Sequence, residues 1–388
     1  MRVGRIIVCG VFGLLAGCAD LSSGPDADVA DMNRYVAMGS SISMGVMSDG
    51  VVAESQRSAW PALLAADVGA EFGLPLVDAP GCRAPLAAPL SNFRRTDNSL
   101  LTDTGICAPN AAGFTLPEQN VAISGATVAN AVSTTPASAQ SVLYSRVLGN
   151  GQTQHTAMRS MSPSFVSIEF GSNELLPALS GLITDANTVG FSGNYSPIVN
   201  SIKQMSTKAL LVTMPPDLRR LPAIRTAAEI ASQRAAFAGR NVTVHANCDT
   251  ATTYVSLTTK VLPTIATGAV RAASGLGPAE LSCANVPNAR DGILTEADMT
   301  SLNAAAAQIN TFITNRANEN GYATFSLGVL YDVAKDGVPF NLNTILTSAA
   351  PFGNLISLDA THPTAAGQAV LASAAKAAII QKYGSIIH

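Results

Sequence analysis

Two short stretches carry residues whose chemistry is complementary. Gly39-Ser40-Ser41-Ile42-Ser43 follows a short apolar run, residues 34–39. A serine at a strand-to-helix turn is exposed as a nucleophile, and the helix that follows aims its N–H groups at developing negative charge. Serine also caps helices at such turns, so this signal alone carries little weight. Far along the chain stands Asp359-Ala360-Thr361-His362-Pro363-Thr364. An Asp three residues before a His can hold the imidazole in one tautomer and stabilise the imidazolium that forms when it takes a proton. Pro363 fixes the backbone beside the histidine and opens a helix. The order Ser41, Asp359, His362 is that of a serine nucleophile, an orienting acid and a general base.

The other candidates read as structural. His155 lies in a polar Gly/Gln/Thr stretch and His245 stands near Cys248, both as loop residues; His388 is the last residue. None has a second His or a carboxylate at metal-ligand spacing, so no metal and no cofactor is expected. Trp60 sits on an apolar helical face and reads as core. Arg219-Arg220 after Pro215-Pro216 reads as a solvated charge pair.

The elements that must position Ser41 and His362 alternate between strand and helix. Strand candidates are residues 34–39, 74–77, 164–170, 209–214 and 323–327. Helical spacing appears at 59–70, 195–208, around Leu302 to Ile313, and from Pro363 to about Lys382. Residues 80–119 read as loop, and about 240–290 as an insertion of low periodicity. Alternation of this kind predicts a three-layer α/β/α doubly wound, flavodoxin-like parallel sheet with loop insertions, binding its ligand at the carboxyl ends of the strands. No linker divides the body, so residues 34–388 are expected to form one domain.

The N-terminus reads as an export signal. Arg2 and Arg5 precede the apolar residues 6–16, a run too short to span a bilayer. Leu15-Ala16-Gly17-Cys18 resembles the bacterial lipobox, which predicts cleavage after residue 17, lipidation of Cys18 and anchoring to an outer membrane or cell surface. An ordinary signal peptide cut after Ala19 is the alternative, leaving a secreted or periplasmic protein. Residues 18–33 read as an acidic tether. Cys82, Cys107, Cys248 and Cys283 then form an even set suited to an oxidising compartment. Three pairings are possible; the local ones, Cys82 with Cys107 and Cys248 with Cys283, each close a loop-like stretch.

Composition narrows the function classes. Charged residues make up 13% of the 388 residues, against about a quarter in an average soluble domain. At a formal net charge of -3, a basic nucleic-acid surface is not expected. Oligomeric state is not legible.

With the blocks in hand, the chain resembles the SGNH hydrolase (GDSL esterase/lipase) superfamily. The first block is Tyr35-Val36-Ala37-Met38-Gly39-Ser40-Ser41-Ile42-Ser43-Met44-Gly45. The second is Asn120-Val121-Ala122-Ile123-Ser124-Gly125-Ala126-Thr127, the third Gly171-Ser172-Asn173-Glu174, and the last holds Asp359 and His362. The resemblance implies Ser41 as nucleophile, Asp359 and His362 completing a triad, and an oxyanion hole of the Ser41 and Gly125 N–H groups with the Asn173 amide. It implies hydrolysis of small-molecule or lipid esters through an acyl-enzyme. Two positions depart from the pattern: Ser40 and Glu174 stand where the family has Asp. They raise the alternative of a non-catalytic acyl- or glycan-binding lipoprotein; a polysaccharide O-deacetylase or acyltransferase is a further alternative, independent of them. Ser43 also breaks the G-x-S-x-G elbow of α/β-hydrolases.

Overall fold

The computed structural model describes residues 29–388 except Thr104, Ile106 and Phe114. The signal segment, Cys18 and most of the expected tether lie outside the described residues.

Four strands rich in β-branched and apolar residues form the central parallel sheet. They lie side by side in the order Ala323–Ser326, Lys208–Thr213, Phe165–Glu169, Tyr35–Gly39. An extended segment completes the free edge of Tyr35–Gly39: Ala37 donates to Gln119, and Val121 and Ile123 donate to Ala37 and Gly39. In chain order the arrangement across the sheet is 2-1-3-4-5, the flavodoxin-like order, whose switch point falls between the first and third strands. Strand Phe165–Glu169 is buried along its whole length, as a central parallel strand covered on both faces must be.

Helices cover both faces. On one, Ala365–Tyr383 packs on Trp60–Val68 and on strand Ala323–Ser326, with Trp60 edge-on to Phe325. On the other, Phe191–Gln204 and Glu296–Asn320 pack on Lys208–Thr213, joined by a cluster of Phe191, Tyr195 and Phe312. Among the described residues no helix is long and apolar enough to cross a membrane.

The structure corrects three expectations. Residues 74–77 are not a sheet strand; the second position is taken by the segment around Asn120. Pro75 lacks an N–H, and the buried Gln56 side chain satisfies this stretch instead, donating to Pro75 O and accepting from Val77 N. The tether does not reach residue 33, because Val29–Asp31 pairs in parallel with Ser385–Ile387 and buries Ala30 and Met32. Finally, the insertion is wider and more ordered than expected. It contains an antiparallel sheet of Ile224–Thr226, Thr253–Ser256 and Ile293–Thr295, a pair Val242–Val244 with Ala279–Leu281, and helix Leu262–Ala273. That helix buries Leu262, Ile265 and Gly268 at helical spacing, an amphipathic pattern overlooked in the sequence. Disulfides join Cys82 to Cys107 and Cys248 to Cys283.

Candidate functional site

Ser41 lies just beyond the carboxyl end of Tyr35–Gly39, as the first residue of the one-turn helix Ser41–Met44. The turn is tight because Gly39 permits it: a Cβ there would stand 2.8 Å from Ser43 Oγ and 3.0 Å from Glu169 O. Two elements hold the turn from outside. The Gln368 side chain donates to Ile42 O and accepts from Trp60 N, and Asn120 Nδ2 donates to Ser43 O. Trp60, buried as expected, also donates from its indole N–H to Ser43 Oγ.

His362 reaches this turn from the opposite end of the chain. Its Nε2 is 2.9 Å from Ser41 Oγ, and its Nδ1 is 2.7 Å from Asp359 Oδ2. The loop between acid and base folds back because Ala360 adopts a left-handed φ of 61°, which lets Asp359 Oδ1 accept the N–H groups of Thr361 and His362. Asp49 N donates to Asp359 Oδ2 at 2.6 Å, and Ser357 Oγ donates to Oδ1. Burial alone would push the Asp359 carboxyl up; the facing His362 and these donors outweigh it and hold it at about 2. Burial alone would likewise lower His362, but the Asp359 charge leaves it raised above the ordinary 6.5. A neutral His362 therefore carries its proton on Nδ1 toward the carboxylate, leaving Nε2 as acceptor for the Ser41 hydroxyl.

The remaining expected donors flank the same turn. Gly125 is exposed at φ +78° on the loop after the edge segment, and neither its N–H nor that of Ser41 has a partner among the described residues. Asn173 follows the third strand at the sheet's switch point; one of its amide hydrogens goes to Ala126 O at 3.0 Å, and the other is available. The next side chain tightens the same junction: Glu174 Oε1 accepts from Val128 N at 2.7 Å. Its Oε2 is buried without a partner, and burial pushes the carboxyl up to about 7. Gly125 and Asn173 thus stand on two segments tied together by two hydrogen bonds.

A residue overlooked in the sequence lies under the nucleophile. Glu169, the last residue of Phe165–Glu169, is buried and accepts from Ser40 N and Oγ and from Ser43 N and Oγ. Burial raises its pKa, opposed by those four donors. The available signal was a lone acid ending an otherwise uncharged strand that precedes Gly171. Asp49, also overlooked, links Asp359 to Arg83 and Arg95, each 2.6 Å from Asp49 Oδ2.

The other candidates lie elsewhere. His155 belongs to helix Gln154–Ser160 rather than a loop, because Thr153 caps that helix, and its Nε2 is 2.8 Å from Ser201 Oγ. His245 pairs with Glu280 in the insertion. Arg219 and Arg220 are committed to Glu296 and Asp336.

Among the described residues, three spaces open on Ser41 or His362. One is a narrow apolar slot of about 20 Å³ beside Ser41, walled by Ile42, Leu176, Pro215, Leu218, Leu221 and Tyr331. Another is a broad cleft of about 510 Å³ that reaches His362 past Ser124. The third is a space of about 290 Å³ walled by Leu86, Leu101, Leu262 and Leu358 that meets His362 beside Asp359.

Residues 35–375 match the model of the GDSL-like Lipase/Acylhydrolase family. No curated protein gives a significant match. Among solved structures, the chain is similar to an extracellular lipase from Streptomyces rimosus, at 17% identity and a TM-score of 0.37, covering 89% of this chain and 100% of that one. It is also similar to Axe2, an acetylxylan esterase from Geobacillus stearothermophilus, at 11% identity and a TM-score of 0.37, covering 91% of this chain and 96% of that one.

Proposed function

The chain belongs to the GDSL-like lipase/acylhydrolase family and is a hydrolase acting on esters; from that premise we propose that it cleaves carboxylic esters through an acyl-enzyme on Ser41. The observation that carries this reading is the continuous hydrogen-bonded line from Ser41 Oγ through His362 to Asp359. In the first half-reaction His362 Nε2 takes the Ser41 proton as Oγ bonds to the ester carbonyl carbon. The electron pair moves to the carbonyl oxygen, which the Ser41 and Gly125 N–H groups and the Asn173 amide stabilise; one such donor is worth about 10²–10³ in kcat. Collapse expels the alcohol, protonated by His362. Water then repeats the sequence on the acyl-serine and releases the acid.

Ser40 and Glu174, where the family has Asp, do not favour a binding-only reading. Ser40 is hydrogen-bonded to Glu169 and Glu174 to the Gly125 loop's following helix, so both positions are integrated around an assembled triad. Export fits the two disulfides, and lipidation of Cys18 would anchor the enzyme outside the cytoplasm. A fluorophosphonate probe tests the reaction: it should label the peptide containing Ser41 and nothing in Ser41→Ala. Absence of label, or label that survives the substitution, overturns the assignment. For the anchor, Cys18→Ser should release the protein from membranes; retention there overturns lipidation.

A further inference from the structure

We propose that the broad cleft is the subsite for the ester's alcohol portion and that Arg83 selects alcohols bearing an oxyanion group, a carboxylate or a phosphate. This rests on the esterase reading above. His362 must protonate the leaving oxygen, so the alcohol lies on the side where His362 opens to space. The apolar slot shared with Ser41 is only about 20 Å³, whereas two larger spaces meet His362 without Ser41: the cleft of about 510 Å³, which carries Arg83, and the smaller leucine-walled space of about 290 Å³, which carries no cation.

The cleft's charge is unusual. Among its described lining residues only Asp49, Arg83 and His362 ionise. Asp49 is shared by two guanidinium groups, Arg83 from the cleft side and the fully buried Arg95 from behind. Arg95 is further fixed by the carbonyls of Ala84 and Leu101. Two arginines share the one Asp49 carboxylate, so Arg83 has only a divided counter-ion. Arg83 directs only Nη1 to Asp49; its other guanidinium donors have no partner among the described residues, and the side chain is 38% exposed. A planar fork with free donors beside a cleft is the geometry that binds carboxylate and phosphate.

The backbone around Arg83 shows that the arrangement is built rather than incidental. Arg83 and Asp49 are both non-glycine residues in the left-handed region, at φ 46° and 58°. Such strain persists only where surrounding structure enforces it, and it clusters at binding sites. Cys82, next to Arg83, is bonded to Cys107, and both line the cleft. The two loops touch so closely that a Cβ on Gly50 would lie 2.5 Å from Arg83 O. Asp49 N also donates to Asp359, so the anion-recognising corner and the triad share one anchoring residue.

The test uses the full-chain, disulfide-bonded protein and three acetyl esters: 4-acetoxybenzamide, 4-acetoxybenzoate and 4-acetoxyphenyl phosphate. The readout is the ratio of kcat/KM for each anionic ester to that for the neutral amide, which cancels effects common to all three. Charged hydrogen bonds are the strong ones, so Arg83→Gln should lower the ratio about tenfold or more, while Arg83→Lys, which keeps the charge but not the fork, should retain only part of it. Loss confined to one anionic ester identifies whether carboxylate or phosphate is the group recognised; loss for both supports the shared chemistry. A ratio unchanged in Arg83→Gln, with Ser41 labelled and the neutral ester turned over, overturns this inference alone. An unlabelled Ser41 with no turnover overturns the esterase reading and this one with it.

Discussion

The Glu169 carboxylate lies 2.9 Å from the Ser40 hydroxyl, so a buried acid on the central strand grips the residue immediately before Ser41. It grips Ser43 as well, and the nucleophile is therefore suspended between two residues bound to one carboxylate. All four groups facing Glu169 donate to it, and its Oε2 alone takes both backbone N–H groups.

Glu169→Leu keeps a side chain of similar size but takes every acceptor away from that set of donors. Leaving buried donors unmatched costs about 1–3 kcal/mol, so thermal unfolding should occur at a lower temperature. Because the displaced turn carries Ser41, kcat should fall more than KM rises. A variant with wild-type kcat would show that the turn holds its shape without the carboxylate.

The Asp359–His362 pair sets opposite pH trends for activity and stability. His362 must be neutral to act as base, and its pKa is raised above 6.5, so the acid limb of kcat/KM should lie above pH 6.5. For stability the signs run the other way. The raised His362 contributes fully below 6.5 and loses its contribution as pH rises through its folded-state value. Asp359, held at about 2, contributes above 3.8 and loses its share as pH falls toward 2. The pair's contribution therefore peaks between 3.8 and 6.5, on the acid side of the activity limb. Asp359→Asn should flatten this part of the unfolding profile, move the acid limb down and lower kcat by about 10⁴, the effect of the same change in a serine protease triad. Unfolding curves at several pH values, with rate profiles on one ester, check each sign.

Much of this was legible in the sequence because the residues concerned sit at strand ends. Apolar strands stopping at Gly39 and Gly171 marked where Ser41 and Asn173 emerge, and Asp359 and His362 are close enough in sequence to reveal their partnership. Glu169 was hidden by its own strand, where one acid among buried neighbours reads as a boundary rather than a partner. Asp49 and Arg83 were hidden for a different reason. Arg83 meets Asp49, and Asp49 meets Asp359, only across long separations, and both stand at left-handed positions that are not glycine, so neither periodicity nor spacing announces them. The Asn120 segment escaped strand assignment because it pairs through a few hydrogen bonds along one edge.

The two disulfides should separate by readout. Cys248–Cys283 lies in the insertion, away from Ser41, and closes a separation of 35 residues. Replacing both cysteines by serine should remove roughly 3–4 kcal/mol by loop-closure entropy, seen in denaturant unfolding with little change in KM. Cys82–Cys107 lines the broad cleft, so its double serine variant should raise KM as well as destabilise. Equal kinetic effects from the two would place the cleft's substrate contacts elsewhere.

Glu174 offers the reverse case, a substitution that should stabilise. Burial pushes its carboxyl from 4.5 up to about 7, so the folded state prefers the protonated form. Stability is full below 4.5 and declines as pH rises through 7. Glu174→Gln keeps the Oε1 acceptor for Val128 N and puts a neutral amide nitrogen where Oε2 is now buried without a partner. The variant's unfolding temperature should therefore exceed that of the wild type above pH 7, and the gap should close below pH 5. Activity should respond on the same axis. An ionised Glu174 places negative charge one residue from the Asn173 amide, the oxyanion donor proposed above, so on that proposal wild-type kcat should decline on the alkaline side and Glu174→Gln should lack that decline. Parallel alkaline limbs in the two proteins would show that another group, not Glu174, controls it.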